Sequence, residues 1–129
     1  MSFKFTLLGT GSSMGVPRAD GSFGECNPNE KRNYRTRCSA IISSKYCNTL
    51  IDTSPDLRFQ LLQNNINNID RVLYSHFHAD QTHGINDLRI FFIKNKKKIY
   101  LLIFLVCFSL FSIFFYRDYN DKKYKKIAE

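Results

Sequence analysis

The sequence predicts an α/β (α+β) fold, and three stretches carry the prediction. Phe3, Phe5 and Leu7 alternate with Lys4 and Thr6, the two-residue period of a strand with one buried face. Leu57, Leu61 and Leu62 make one apolar stripe behind Ser54-Pro55. Serine just before a first turn and proline at its first position are helix-start chemistry. Arg71-Val72-Leu73-Tyr74 is a short apolar run that reads as a buried strand, and Ile85–Ile90 beyond it reads as the start of a helix.

In chain order, the first strand ends in the glycine-rich loop Leu8–Pro17. That loop has no lysine for a phosphate-binding Walker loop, and its glycines are not spaced as in a dinucleotide fold. A tight turn with close backbone approach is the simpler reading. Residues 18–38 form a long polar connection that turns basic at Lys31, Arg32, Arg35 and Arg37. Arg35 and Arg37 alternate toward the next strand, an arrangement suited to gripping phosphate or carboxylate. Ser39–Ser43 and Thr49–Asp52 read as a hairpin. A helix is expected over 55–64, with Asp56 complementing its dipole. A second helix is expected over Gly84–Ile93, whose apolar end asks for a partner.

Between the strand at 71–74 and that second helix lies Ser75-His76-Phe77-His78-Ala79-Asp80-Gln81-Thr82-His83. Alternate residues of an extended chain point the same way, so His76 and His78 can converge. Asp80 lies one step on, where the chain turns. Two imidazoles and a carboxylate suit Zn²⁺, Mn²⁺ or Fe²⁺; a polar loop with surface histidines is the plainer alternative. Asp52, at the end of a strand beside this one, is a candidate for facing a metal or for supporting its ligands, or else an ordinary turn residue.

The totals set bounds. A chain of 129 residues is one domain or less. Its formal charge of +8 suits an anionic substrate, RNA or a membrane surface without choosing among them. Cys26, Cys38, Cys47 and Cys107 form no C-x-x-C pair, which argues against a zinc ribbon or a redox motif. Four reduced thiols in a cytoplasmic protein are expected. The first residues lack the layout of a secretory signal.

Four blocks in order then resemble one family. They are Leu8-Gly9-Thr10-Gly11-Ser12-Ser13; Asn33-x-Arg35-x-Arg37-x-Ser39; Asp52-Thr53-Ser54-Pro55-Asp56-x-Arg58; and His76-Phe77-His78-Ala79-Asp80 with Gly84-Ile85-Asn86-Asp87-Leu88-Arg89. Together they look like the phosphodiesterase branch of the metallo-β-lactamase superfamily, near phosphoribosyl cyclic phosphodiesterases and further from ribonuclease Z. The resemblance covers about residues 2–93. It implies the N-terminal half of an αββα sandwich over 1–98 and a two-metal hydrolytic site using Zn or Mn. His76 and His78 would bind the first metal and Asp80, the catalytic carboxylate, the second. Arg35 and Arg37 would face a phosphodiester or other anionic small molecule; RNA is the weaker alternative.

Two departures accompany the resemblance. Gln81 stands where the family pattern has a histidine, and a neutral amide is a poor substitute for imidazole. His83 is a nearby replacement, two residues along. The family's later His, bridging Asp and final His have no counterpart, because no histidine follows His83. The resemblance therefore implies a truncated, inactive member.

Past Lys94–Lys98, residues 99–116 carry no charge, and a polar tail runs from Arg117 to Glu129. Eighteen residues are at the lower edge of a membrane span. Three readings stand: a membrane anchor, a buried helix or strand pair, or an out-of-frame translation beginning at the lysine tract. The third is preferred, because the family pattern stops there and the composition changes abruptly. The first would make the chain a small membrane-tethered binding protein without catalysis.

Overall fold

The computed structural model describes residues 2–103. Five strands form one sheet in chain order: β1 (Lys4–Gly9), β2 (Ser39–Ser43), β3 (Asn48–Ile51), β4 (Arg71–Tyr74) and β5 (Tyr100–Ile103). β1, β2 and β3 pair antiparallel, with Thr6 opposite Ile41 and Ile41 opposite Leu50. β3, β4 and β5 run parallel, with Leu50 opposite Val72 and Val72 opposite Leu101. Parallel neighbours need a crossover. Helix α1 (Leu57–Gln63) supplies the first. The second is a broken helical path: α2 (Ala79–Thr82), a 3-10 segment (His83–Leu88) and α3 (Arg89–Asn95).

The period-two pattern decides which face is covered. Leu8, Ile41, Leu50, Val72 and Tyr74 point one way and are buried against Leu57, Leu61, Leu88 and Phe91 of the helical layer. Phe5, Leu7, Ile42, Ile51, Leu73 and Leu102 occupy the matching positions on the other face. There Phe5 is 59% and Leu7 61% exposed. The bare apolar face expected for half of a sandwich is therefore present.

Several element boundaries differ from the sequence reading. α1 begins at Leu57 rather than 55. The Ser54 hydroxyl accepts from the Asp56 N–H at 3.1 Å, so it closes a turn ahead of the helix instead of capping it. Leu62 leaves the stripe and faces solvent. The expected helix over 84–93 is a 3-10 segment followed by α3. Buried Gly84 lies tightly against the Ser54 carbonyl and Leu57, which fixes the chain's path there. β3 stops at Ile51, because Asp52 takes a left-handed φ of 58°.

Of the apolar run from 99 to 116, Tyr100–Ile103 are a strand of the sheet, and residues 104–116 lie outside the described residues. Among the described residues no helix is long and apolar enough to cross a membrane.

Candidate metal centre

The parallel strands β3 and β4 end side by side, and the chain leaving each carries polar residues. Crevices at the carboxyl ends of parallel strands are where α/β sheets place ligands. Asp52, just past β3, grips Ser75, just past β4. Its Oδ1 accepts from the Ser75 N–H at 2.8 Å and its Oδ2 from the Ser75 hydroxyl at 2.7 Å. Each carboxylate oxygen thereby takes one bond from Ser75, and Asp52 supports the loop.

That clamp sets the histidines. Ser75 gives its only hydroxyl proton to Asp52, so its contact with His76 Nδ1 at 3.0 Å is one in which the ring N–H donates. A neutral His76 then has an unprotonated Nε2, which accepts from the His78 Nδ1–H in this structure and is free to bind a cation once that proton leaves. This nitrogen faces His78 Nδ1 at 3.1 Å, with the rings edge to face. The tautomer is assigned from this bond chain. Two imidazole nitrogens on one tetrahedral zinc, each about 2.0–2.1 Å from it, stand about 3.3 Å apart. The pair has the spacing of two ligands of one ion.

Asp80 opens α2, and the neighbouring Gln81 amide donates to its Oδ2 at 2.9 Å. Gln81 is buried, and its Oε1 has no partner. Its backbone is held from below: the Gln81 carbonyl accepts from the Thr53 N–H at 2.6 Å and from the Thr53 hydroxyl at 3.1 Å. The same hydroxyl reaches the Thr82 carbonyl and the Tyr74 hydroxyl. Burial pushes the Tyr74 phenol above its ordinary pKa. Fully buried Thr53 thus ties β4, the start of α1 and the ligand loop together.

The arginines divide. Arg37 is committed to Asp56, whose Oδ2 accepts from the Arg37 N–H at 2.8 Å and from Nε at 2.9 Å, while Oδ1 accepts from Nη2 at 2.8 Å. The hydrogen-bonded guanidinium holds the Asp56 carboxyl below its usual range, and Asp56 in turn raises Arg37. Arg37 therefore fastens the β2 approach to the α1 start. Arg35 is exposed; its Nε donates to the Arg32 carbonyl at 3.0 Å, leaving the terminal nitrogens unbonded among the described residues. Both line an open cleft of about 780 Å³ beside the glycine-rich loop.

Comparison with known proteins supplies the relationship. A family model described as "Beta-lactamase superfamily domain" matches residues 47–106, from β3 through β5. A crystal structure described as a new diphosphatase from the PhnP family superposes with a TM-score of 0.69 at 33% identity, over 78% of this chain. Residues 47–106 thus match the superfamily domain, and the described residues share the fold of the diphosphatase. Two further superfamily-fold structures agree with this chain in fold alone: Zn²⁺-bound PqqB from Methylobacterium extorquens (TM-score 0.54, 17% identity, 80% of this chain) and YhfI from Bacillus subtilis (0.54, 16%, 85%). An octanoyltransferase of Porphyromonas gingivalis is 42% identical over 84 residues, which are 64% of this chain and 17% of that protein. The chain spans 41% of the diphosphatase, 49% of PqqB and 39% of YhfI.

Of the expected ligands, the two histidines come together and Asp80 stands bonded to Gln81. His76 Nε2 and His78 Nδ1 converge as a two-nitrogen half-site. Among the described residues no three His, Cys, Asp or Glu gather as a set for an ion. Asp80 is bonded to Gln81, Asp52 to Ser75, and exposed His83 joins no hydrogen bond with the pair. Sequence reasoning overlooked Ser75 and Thr53 as supports. The signal for Ser75 was its place immediately before the ligand pair; the Thr53 contacts, 28 and 29 residues away, leave no local signal.

Proposed function

We propose that this chain carries the first-metal half of a phosphodiesterase-type hydrolase site, without competence for turnover by itself. The carrying observation is the His76–His78 nitrogen pair, 3.1 Å apart, with the His76 tautomer fixed through Ser75 and Asp52. Such outer partners hold a ligand ring in its binding orientation. Zn²⁺ or Mn²⁺ bound there would polarise a phosphoryl oxygen and acidify a water. His76 and His78 would hold the ion, Asp52 and Ser75 would orient the first ring, and Asp80 would stand beside the position.

The phosphodiester direction rests on likeness to the PhnP-family diphosphatase. An acyl-transfer reading is less supported, because most of the octanoyltransferase lies outside the match. The free thiols Cys26, Cys38 and Cys47 suit a reducing, cytoplasmic setting. Lack of turnover rests on Gln81 and on the missing third ligand among the described residues.

Zinc titration followed by imidazole ¹⁵N shifts, paired with hydrolysis of bis(p-nitrophenyl) phosphate, tests the reading. Zinc should move the His76 and His78 rings, His78→Ala should abolish the effect, and hydrolysis should stay at the metal-only rate. Rings that ignore saturating zinc would refute the metal site. Turnover above background and lost in His78→Ala would refute incompetence while keeping the lineage.

A further inference from the structure

We infer that the Gln81 amide occupies the place of a second cation at Asp80, so that this site takes one metal ion and not two. The inference rests on the half-site reading above and concerns what Gln81 does to it.

Gln81 is 7% exposed. Its side chain makes one hydrogen bond among the described residues, from Nε2 to Asp80 Oδ2 at 2.9 Å, while Oε1 is buried without a donor. A buried acceptor with no partner is costly. Turning the amide over would not help, because Oε1 would then face a carboxylate oxygen and lose the one bond made. The amide is therefore oriented by Asp80 alone, at the expense of its own oxygen. Its backbone cannot shift to relieve this, since the Gln81 carbonyl is held by the Thr53 N–H and hydroxyl and the Gln81 N–H is spent on the His78 carbonyl.

The chemical consequence concerns the Asp80 carboxylate. A carboxylate beside a metal position is satisfied by the cation's charge. Here a neutral N–H donor covers Oδ2. The donor adds no charge, needs no further ligands and excludes an ion from that oxygen's bonding direction. Gln81 also brings no imidazole nitrogen of its own. Its role is positioning: it holds the Asp80 carboxyl group at Oδ2 beside the pair-bearing loop.

The test is zinc titration of the full chain observed at two separate reporters, the imidazole ¹⁵N signals of His76 and His78 and the side-chain carboxyl ¹³C signal of Asp80. In the native sequence zinc should move both rings and leave the Asp80 carboxyl in place. In Gln81→His, which removes the amide and supplies a nitrogen, the Asp80 carboxyl should respond as well. An Asp80 carboxyl that moves with zinc in the native chain overturns the inference by itself, whether or not the variant folds. A folded Gln81→His chain whose Asp80 stays silent also overturns it. Rings that do not respond overturn both this inference and the half-site on which it stands, so the two failures are distinguishable.

Discussion

Asp56→Ala is the most informative test of how the site is supported. Three bonds meet at this carboxylate: the Arg37 backbone N–H at 2.8 Å, Nε at 2.9 Å and Nη2 at 2.8 Å. The side chains are 32% exposed for Arg37 and 23% for Asp56, so solvent screens the pair and the full value for a buried charge does not apply. The two guanidinium bonds then contribute about 0.5 kcal/mol each, and stranding the backbone N–H costs about 1 kcal/mol, giving about 2 kcal/mol in all. Asp56→Asn keeps an acceptor for the N–H and should lose about half of that. Urea denaturation of the full chain at neutral pH measures both, and an unchanged slope would show that the unfolded state is not the cause. A loss below about 0.5 kcal/mol for Asp56→Ala, the size of an ordinary surface change, would refute the reasoning. The pH dependence has a definite sign. Arg37 lowers the Asp56 carboxyl, so the contribution is complete above about 3.9, the unfolded value, and is lost as pH falls through the lower folded value. Arg37, raised from an already high value, stays charged throughout that window.

Gly84→Ala would drive a Cβ into the Ser54 carbonyl oxygen and to 2.9 Å from the Leu57 Cβ. It should cost at least about 3 kcal/mol and abolish a cooperative melt; a transition within about 1 kcal/mol of the parent would contradict the packing. Thr53→Val keeps the shape but removes the hydroxyl contacts to Gln81, Thr82 and Tyr74. A loss of about 1–3 kcal/mol is expected from calorimetry, and a neutral outcome would count against Thr53 as the tie. Leu7→Lys on the bare sheet face should change stability by less than about 0.5 kcal/mol while reducing binding of a hydrophobic dye. Undiminished dye binding would place the exposed apolar surface elsewhere.

What could be read in the sequence was local. The alternation around Phe5 and the apolar run Arg71–Tyr74 announce their strands, and the Ser54-Pro55 pair announces a helix, though two residues early. His76 and His78 converge because extended geometry at 76–78 is itself a short-range property. Functions set by distant partners were not legible. Arg37 reads as an anion grip in sequence, and its bonds to Asp56, 19 residues on, are a second role that no local pattern announces. Asp52 reads in sequence as facing a metal or supporting its ligands, and its two bonds to Ser75, 23 residues on, have no local signal. Of the three readings of the apolar run from 99, strand pairing holds for Tyr100–Ile103, which lie along the edge of β4. Strand propensity and hydrophobicity point the same way in such a run, so pairing decides its beginning.

Strand order in the sheet equals order along the chain. Every ladder therefore closes a loop between consecutive elements, and the clamp from Asp52 to Ser75 closes a segment of 23 residues. The entropy of such closures grows only with the logarithm of their length, so each loop adds modestly to the cost of ordering the sheet. The nitrogen pair lies just past a contiguous β3–α1–β4 crossover unit, whose parallel strand ends are held together by the clamp from Asp52 to Ser75. The half-site and the exposed apolar face therefore belong to one sheet, the first at its strand ends and the second across Phe5 and Leu7.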